Sequence, residues 1–403
     1  VPDASTQPRG TPGEVFGAFA RLGLTSFGGP VAHLGYFRTE FVARRRWLDE
    51  RAYAELVALS QFLPGPASSK VGFTLGLLRA GWAGALCAWA AFTLPSALAL
   101  AAFALAAPAL SDGPLARGLV HGLKLTAVAI VAHAVLGMAR TLCPDVPRRV
   151  LALLALAVVA VVGPGAQLVA IAGGAATGLL LARDAAAAAP EPLAVPLGRR
   201  TARVAGVAFA VLLAAAWLAT PTTAPAGAAT MAAAFYRAGA LVFGGGHVVL
   251  PLLDAAVVAP GWTSGPAFLA GYGAAQAVPG PLFTVAAYLG AQPGMPVPGW
   301  PGAALALGAI FLPGLLLHTA ALPYWDALRR RAGAAGAMRG VNAAVVGVLA
   351  AALWNPVIRT SVLGPADALV ALAGFLALAS GRVPPLAVVL GSAAAGVLLA
   401  QAG

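Results

Sequence analysis

Apolar residues run through this chain in long unbroken blocks, separated by short turns of glycine, proline and polar residues. Thirteen blocks stand out. Six come first, at 15–36, 53–79, 82–107, 118–142, 149–163 and 166–182. A block at 203–219 stands alone, and six more follow at 230–253, 267–291, 302–322, 340–358, 362–379 and 384–401. Blocks of about 20 apolar residues match the thickness of a bilayer crossed by an α-helix. The pattern predicts an all-α polytopic membrane protein with about 13 transmembrane segments. It divides the chain into a flexible tail (1–13), a first transmembrane repeat (14–183), a linker carrying the extra segment 203–219 (184–228) and a second repeat (229–403).

Composition narrows the class. Hydrophobic residues make up 60% and charged residues 9%, where a soluble domain has about 25% charged. So few polar residues could not cover the apolar surface in water, which excludes a soluble enzyme, a nucleic-acid binder and a disordered chain. The formal charge of +12 comes from 25 basic against 13 acidic residues. Most of the arginines flank apolar blocks, where they orient helices and meet anionic lipid, so the charge implies a bilayer and no nucleic acid. Cys87 and Cys143 have no metal-ligand spacing and read as small hydrophobes.

The chain repeats itself. Phe19-Ala-Arg21-Leu-Gly23 followed by Phe27-Gly28-Gly29-Pro30 returns as Phe235-Tyr-Arg237-Ala-Gly239 followed by Phe243-Gly244-Gly245-Gly246, 216 residues later. Gln61-Phe-Leu-Pro64-Gly65-Pro66 returns as Gln276-Ala-Val-Pro279-Gly280-Pro281 at an offset of 215. Trp82 and Pro95 match Trp300 and Pro313 at 218, and Arg117-Gly118 matches Arg339-Gly340 at 222. Ordered matches at a nearly constant offset mark two homologous six-segment halves.

The halves are expected to be inverted. Six spans plus the extra segment make an odd number, which turns the second half over. Loop charges agree. Arg38, Arg44, Arg45, Arg46 and Arg51 follow the first segment, while the equivalent stretch 255–266 is uncharged. Arg329, Arg330 and Arg331 occupy a loop whose counterpart, 108–116, has only Asp112. Inverted repeats are a common plan for transporters.

Pro-Gly-Pro inside an apolar segment removes backbone donors and breaks the helix. Such a break is tolerated in a membrane only where protein or a polar cavity satisfies it. Past each break a new half-helix begins, at Ser68-Ser69-Lys70 and at Leu282-Phe-Thr284, with the positive end of its dipole leading. The glycine pairs Gly28-Gly29 and Gly244-Gly245 offer a second pair of backbone openings. Four such openings around one centre suit an oxyanion. The plainer reading is that glycine and proline serve kinks and close packing.

Several side chains could share that site. Arg21 and Arg237 correspond under the repeat, and a guanidinium fork suits tetrahedral oxyanions, although an arginine near a helix end also snorkels. Gln61 and Gln276 precede the two Pro-Gly-Pro sequences, and Lys70 adds positive field on one side only. His33 and His247 follow the glycine openings without being equivalents, and a packed histidine is an equal reading. Glu55 is the carboxylate best placed to handle protons. Lys124 lies inside an apolar segment and could pair with an acid elsewhere. No nucleophile–base set, metal cluster or cofactor motif is found, so no enzyme and no cofactor is implied.

These residues resemble the chromate ion transporter family in its long, two-domain form. The likeness rests on Arg21-Leu-Gly-Leu-Thr-Ser-Phe-Gly-Gly-Pro30, Tyr36-Phe-Arg38 through Arg46-Trp47-Leu-Asp-Glu50, Leu59-Ser-Gln-Phe-Leu-Pro-Gly-Pro66, Val242-Phe-Gly-Gly-Gly-His-Val-Val249 and Gln276-Ala-Val-Pro-Gly-Pro281. The resemblance implies export of chromate across the bacterial inner membrane and chromate resistance, with sulfate, an isosteric dianion, as competitor. It leaves room for a homodimer. In many relatives glutamine stands where Lys70 does.

Overall fold

A computed structural model describes residues 10–110, 113–180, 197–219, 226–243, 245–325, 327 and 331–402. The described residues are helical, with no strand. The first half comprises α1 (Pro12–Thr25), α2 (Gly29–Phe37) running into a π turn (Arg38–Arg44), α3 (Glu50–Phe62), α4 (Ala67–Leu110), α5 (Pro114–Leu142), α6 (Val146–Val162) and α7 (Gln167–Leu180). Helix α8 (Arg199–Leu218) follows. The second half comprises α9 (Ala228–Ala240), α10 (Val249–Leu253) with a 3-10 turn before it (Gly246–Val248) and a π turn after it (Asp254–Val258), α11 (Gly265–Ala275), α12 (Val285–Ala291), α13 (Gly299–Ala321), α14 (Ala332–Ala352), α15 (Arg359–Ser361), α16 (Pro365–Ala379) and α17 (Pro385–Ala402).

Local sequence sets the helix starts. Thr11 accepts from the Glu14 N–H with Pro12 beside it, Asp49 accepts from Ala52, Asp145 from Arg148 and Ser264 from Ala267. Helix α4 folds back on itself at Ala80-Gly81, whose torsions are not helical. Its arms, 67–79 and 82–110, press backbone to backbone at Gly76 and Gly84. The second half repeats the hairpin with α12 and α13, which meet at Gly290 and Gly302. Even the π turns recur, at Arg38–Arg44 and Asp254–Val258.

The apolar blocks are more finely divided than the sequence suggests. Among the described residues, five stretches are long and apolar enough to cross a bilayer, by length and composition: Ala67–Ala107, which contains the fold-back at Ala80-Gly81, Arg117–Leu142, Arg199–Leu218, Gly299–Tyr324 and Gly333–Ser361. Other blocks, including 166–182 and 362–379, are shorter apolar helices, and breaks at 26–28, 63–66, 241–245 and 276–281 halve the blocks that contain them. Together these helices are those of a polytopic membrane protein, with five candidate spans among the described residues and shorter apolar helices at other expected segments. Large hydrophobics such as Val161, Leu180 and Leu218 are exposed on the outer faces of α6, α7 and α8, as lipid contact requires.

The halves exchange partners. Helix α5 packs along α17, and α14 packs along α7. A side chain at Gly118 would meet the Val397 backbone at 2.5 Å, and one at Gly174 would meet the Gly340 carbonyl at 2.7 Å. Helices α5 and α14 thus each lie against the last described helix of the other half.

Candidate functional site

Each Pro-Gly-Pro break meets the glycine opening of the other half. The Gly65 N–H donates to the Val242 carbonyl at 2.8 Å, and the Gly280 N–H donates to the Ser26 carbonyl at 3.0 Å. Ser26 and Val242 are themselves repeat equivalents, each directly before its Phe-Gly-Gly. Every break therefore satisfies a backbone group at the break of the other half, which is what interrupted helices in lipid require.

Glycine is needed at both turns. Gly65 has φ +96° and Gly280 φ +97°, in the left-handed region. A Cβ at Gly65 would lie 2.9 Å from the Gly314 Cα, and one at Gly280 would lie 2.9 Å from the Ser96 Oγ. Gly314 follows Pro313 on α13, and Ser96 follows Pro95 on α4, so again each turn leans on the other half. Pro64 and Pro66 flank the first turn, Pro279 and Pro281 the second.

Polar side chains gather on the first-half side. His33, on α2, is buried. Its Nε2 donates to the Ser26 carbonyl at 3.2 Å, which in the neutral ring leaves Nδ1 to accept from the Ser68 hydroxyl at 3.4 Å. The Phe92 ring stands edge-on to it, with centroids 5.2 Å apart. Ser26 thus receives both His33 and Gly280, and Ser68 opens the half-helix behind the first break. Buried hydroxyls of Ser26, Ser69 and Thr93 and the Nε2 of Gln276 have no protein partner among the described residues. They are spare donors and acceptors on the elements that make the crossing.

Lys70 is fully buried. Its Nζ donates to the carbonyls of Leu63 at 2.6 Å and Pro64 at 2.9 Å, capping the end of α3 exposed by the break. One turn on, the Thr74 Oγ1 lies 2.9 Å from Nε2 of His318, a buried histidine on α13. The second half supplies no match for this chemistry. At the equivalents of His33, Ser68 and Lys70 stand Val249, Phe283 and Val285. Thr284, the equivalent of Ser69, is buried and donates to the Pro281 carbonyl at 2.8 Å. A symmetric backbone frame carries a one-sided set of polar groups.

Other candidates lie elsewhere. Arg21 is exposed on the face of α1 opposite the buried Phe19 and Leu22, so it does not point into the crossing. Arg237 is half-buried and donates from Nη1 to the Ala216 carbonyl at the end of α8. Gln61 is exposed, whereas Gln276 is half-buried. Glu55 accepts from the Trp325 indole at 2.9 Å across the halves. His247 Nδ1 lies 2.7 Å from the hydroxyl of the buried Tyr272. Gly28, with φ +101°, and Gly29 form the turn into α2, and Gly245 stands at the matching turn; Gly244 lies outside the described residues. Lys124 donates to the Thr360 carbonyl at 3.4 Å, next to a hydrogen bond of His121 Nε2 with the Asp367 carboxylate at 2.7 Å.

Sequence reasoning missed Ser26, Thr93, Ser96, Gly314 and His318. Two signals pointed to some of them. Ser26 precedes the glycine motif directly, and Ser96 and Gly314 follow the repeat-matched prolines Pro95 and Pro313.

The sequence profile described as chromate transporter matches twice, over residues 13–179 and again over 229–397. A probable chromate transport protein of Synechococcus elongatus is 28% identical over 336 residues, covering 83% of this chain and 82% of the relative. Chromate transport proteins of Pseudomonas aeruginosa and Cupriavidus metallidurans are each 27% identical, covering 84% and 83% of this chain and 79% and 80% of theirs. No solved structure matches the chain significantly.

Proposed function

The chain belongs to the chromate transporter family, a family of transporters and not of enzymes, and from that premise we propose that it is a secondary transporter exporting chromate from the bacterial cytoplasm, across the inner membrane, so conferring chromate resistance. The pair of hydrogen bonds from Gly65 to Val242 and from Gly280 to Ser26 carries this reading. Each ties a Pro-Gly-Pro break to the glycine opening of the other half, and His33, between Ser26 and Ser68, links the two pairs, so that half-helix ends and the spare groups of Ser26, Ser69, Thr93 and Gln276 can replace the hydration of a dianion. Lys70 holds the Leu63 and Pro64 carbonyls behind the first break.

Transport then proceeds by alternating access, with the second repeat inserted upside down relative to the first. The odd helix α8 and the contrast between the arginine-rich stretch 38–51 and its uncharged equivalent 255–266 support inversion. Moving one charge through 100 mV is worth about 2.3 kcal/mol. A dianion leaving a negative-inside cell therefore gains about 4.6 kcal/mol, a gradient of roughly a thousandfold or more. The membrane potential suffices, and protons are not obligatory.

The test is voltage-imposed chromate flux in proteoliposomes at equal pH on both sides. Flux that follows the voltage supports the reading, and flux that needs a proton gradient overturns the uncoupled form. Sulfate, of the same charge and shape, is the alternative cargo and is tested by competition. Stimulation of flux by substrate on the far side distinguishes a carrier from an anion channel.

A further inference from the structure

The first two apolar blocks end where they begin. At the start of α1 the Gly10 N–H donates to the Arg79 carbonyl at 3.0 Å, and Glu14 pairs with Arg79 at 3.2 Å and with Arg45 at 4.0 Å. The Arg79 guanidinium stands 5.4 Å from the centre of the Trp47 ring. The chain leaves this place along α1, turns at the glycine opening and is back at Arg45 and Trp47. It leaves again along α3, turns at Pro-Gly-Pro and is back at Arg79. The legs are short: α1 has 14 residues and α3 has 13, about 20 Å each, against a hydrocarbon core of about 30 Å. Their tips are the turns that bond to Gly280 and Val242 of the second half. That half closes a hairpin in the same way. A Cβ on Gly294, past α12, would lie 2.5 Å from the carbonyl oxygen of Trp262, which precedes α11. This hairpin starts from the other side: Gly290 of α12 meets Gly302 at the start of α13, whereas Trp325, past the end of α13, holds Glu55 of α3.

Charge separates the two sides. The second arm of α4 runs from Gly81 across to Leu110 and α5 returns, which puts Arg140 and Arg149 on the side of Arg79. Leu197 packs in one cluster with Leu77, Leu322 and Trp325, so Arg199 and Arg200 belong to that side as well. All four are exposed, as are Arg44 and Arg46 in the stretch 38–51. On the opposite side the exposed arginines among the described residues are Arg117, at the start of α5, and Arg359, beside Thr360, whose carbonyl takes Lys124 of α5. Basic residues collect at the cytoplasmic surface of a membrane, where anionic lipid is enriched.

We propose that both first-half blocks are re-entrant hairpins, entering and leaving at one face, and that this arginine-rich face rests on the anionic phospholipid headgroups of the cytoplasmic leaflet. The stretch 38–51 and the start of α1 are then cytoplasmic, and the hairpin of α11 and α12 enters from outside. Backbone turns within the membrane are tolerated because each bonds to the other half. The second arm of α4, α5, α6, α7 and α8 still make an odd number of passes, so the halves stay inverted. The arrangement does not depend on which ion is carried.

The experiment is cysteine labelling of the full chain in spheroplasts with a membrane-impermeant maleimide, after Cys87→Ala and Cys143→Ala. Ala43 and Ala259 are exposed repeat equivalents at the ends of the two π turns. Thr141, at the end of α5, and Leu363, beside Arg359 and Asp367, are exposed markers of the two sides. The expected result is labelling of Ala259→Cys and Leu363→Cys from outside. Ala43→Cys and Thr141→Cys should react only once the membrane is opened. Labelling of Ala43→Cys from outside while Thr141→Cys is protected means that block 15–36 crosses, and overturns the hairpins. Labelling of both from outside overturns the orientation. If Ala43→Cys does not fold, the exposed Thr39→Cys takes its place. The lipid contact is read from the melting temperature in nanodiscs of phosphatidylglycerol or phosphatidylcholine. Phosphatidylglycerol should raise it, and the rise should fall by a third or more in the double variant Arg199→Gln, Arg200→Gln. No rise, or one unchanged in that variant, overturns the contact.

Discussion

Gly280 donates its backbone N–H to the carbonyl of Ser26, 254 positions earlier in the chain and in the opposite repeat. The contact ties the second Pro-Gly-Pro turn to the first glycine opening, and it depends on a left-handed residue with no side chain. Gly280→Ala would cost about 1–2 kcal/mol for the torsion alone, before the clash with Ser96 at 2.9 Å. The expected outcome is a lower melting temperature and chromate flux reduced at least tenfold in proteoliposomes. Gly65→Ala should behave alike, because Gly65 has the same φ and presses on Gly314.

His33 bridges Ser26 and Ser68. His33→Ala removes the bridge and leaves the buried Ser68 hydroxyl without a partner, at about 1–3 kcal/mol, while the Ser26 carbonyl keeps the Gly280 N–H. Flux should fall tenfold or more, and Ser68→Ala should fall less, because it leaves the bond to Ser26 in place.

Lys70 separates charge from capping. Lys70→Met strips the donors from the Leu63 and Pro64 carbonyls as well as the charge, and both stability and flux should fall. Lys70→Gln retains an amide donor and should restore most of the melting temperature but not the flux. Recovery of both would mean that the charge is dispensable.

Arg21 gives the opposite expectation. It is exposed on α1, so Arg21→Ala should leave chromate flux within about twofold of wild type. A loss of tenfold would place it on the ion path after all.

The basic loop after α2 sets an acid limit. Burial alone would push the Glu40 carboxyl up, but hydrogen bonds from Arg45 at 2.6 Å and Arg44 at 3.0 Å overcome it and hold the group below the usual carboxylate range. A depressed native pKa stabilises the fold above the unfolded value, about 4.3 for glutamate. That contribution is lost as pH falls from there through the native value. The melting temperature should drop over this acid range in wild type and be flatter in Glu40→Gln.

The backbone of the site was legible in the sequence because it is written twice. Pro-Gly-Pro and Phe-Gly-Gly recur at one offset, and proline and glycine act locally, so the breaks fall where their spacing says. The partners of the breaks were hidden. That Gly65 bonds Val242 and Gly280 bonds Ser26 is a matter of how two halves pack, which no local signal records. Arg21 misled because repeat equivalence fixes a position on a helix but not the face that finds company. Arg237 has α8 beside it and Arg21 does not.

The exchange of helices between halves also bears on how the protein is made. Helix α5 lies against α17, which is synthesised more than 200 residues later, so the surface around Gly118 and Gly122 has to wait in the membrane for its companion. Biogenesis cannot finish half by half. The first repeat inserts early, stays open along one seam, and closes only when α17 has left the ribosome.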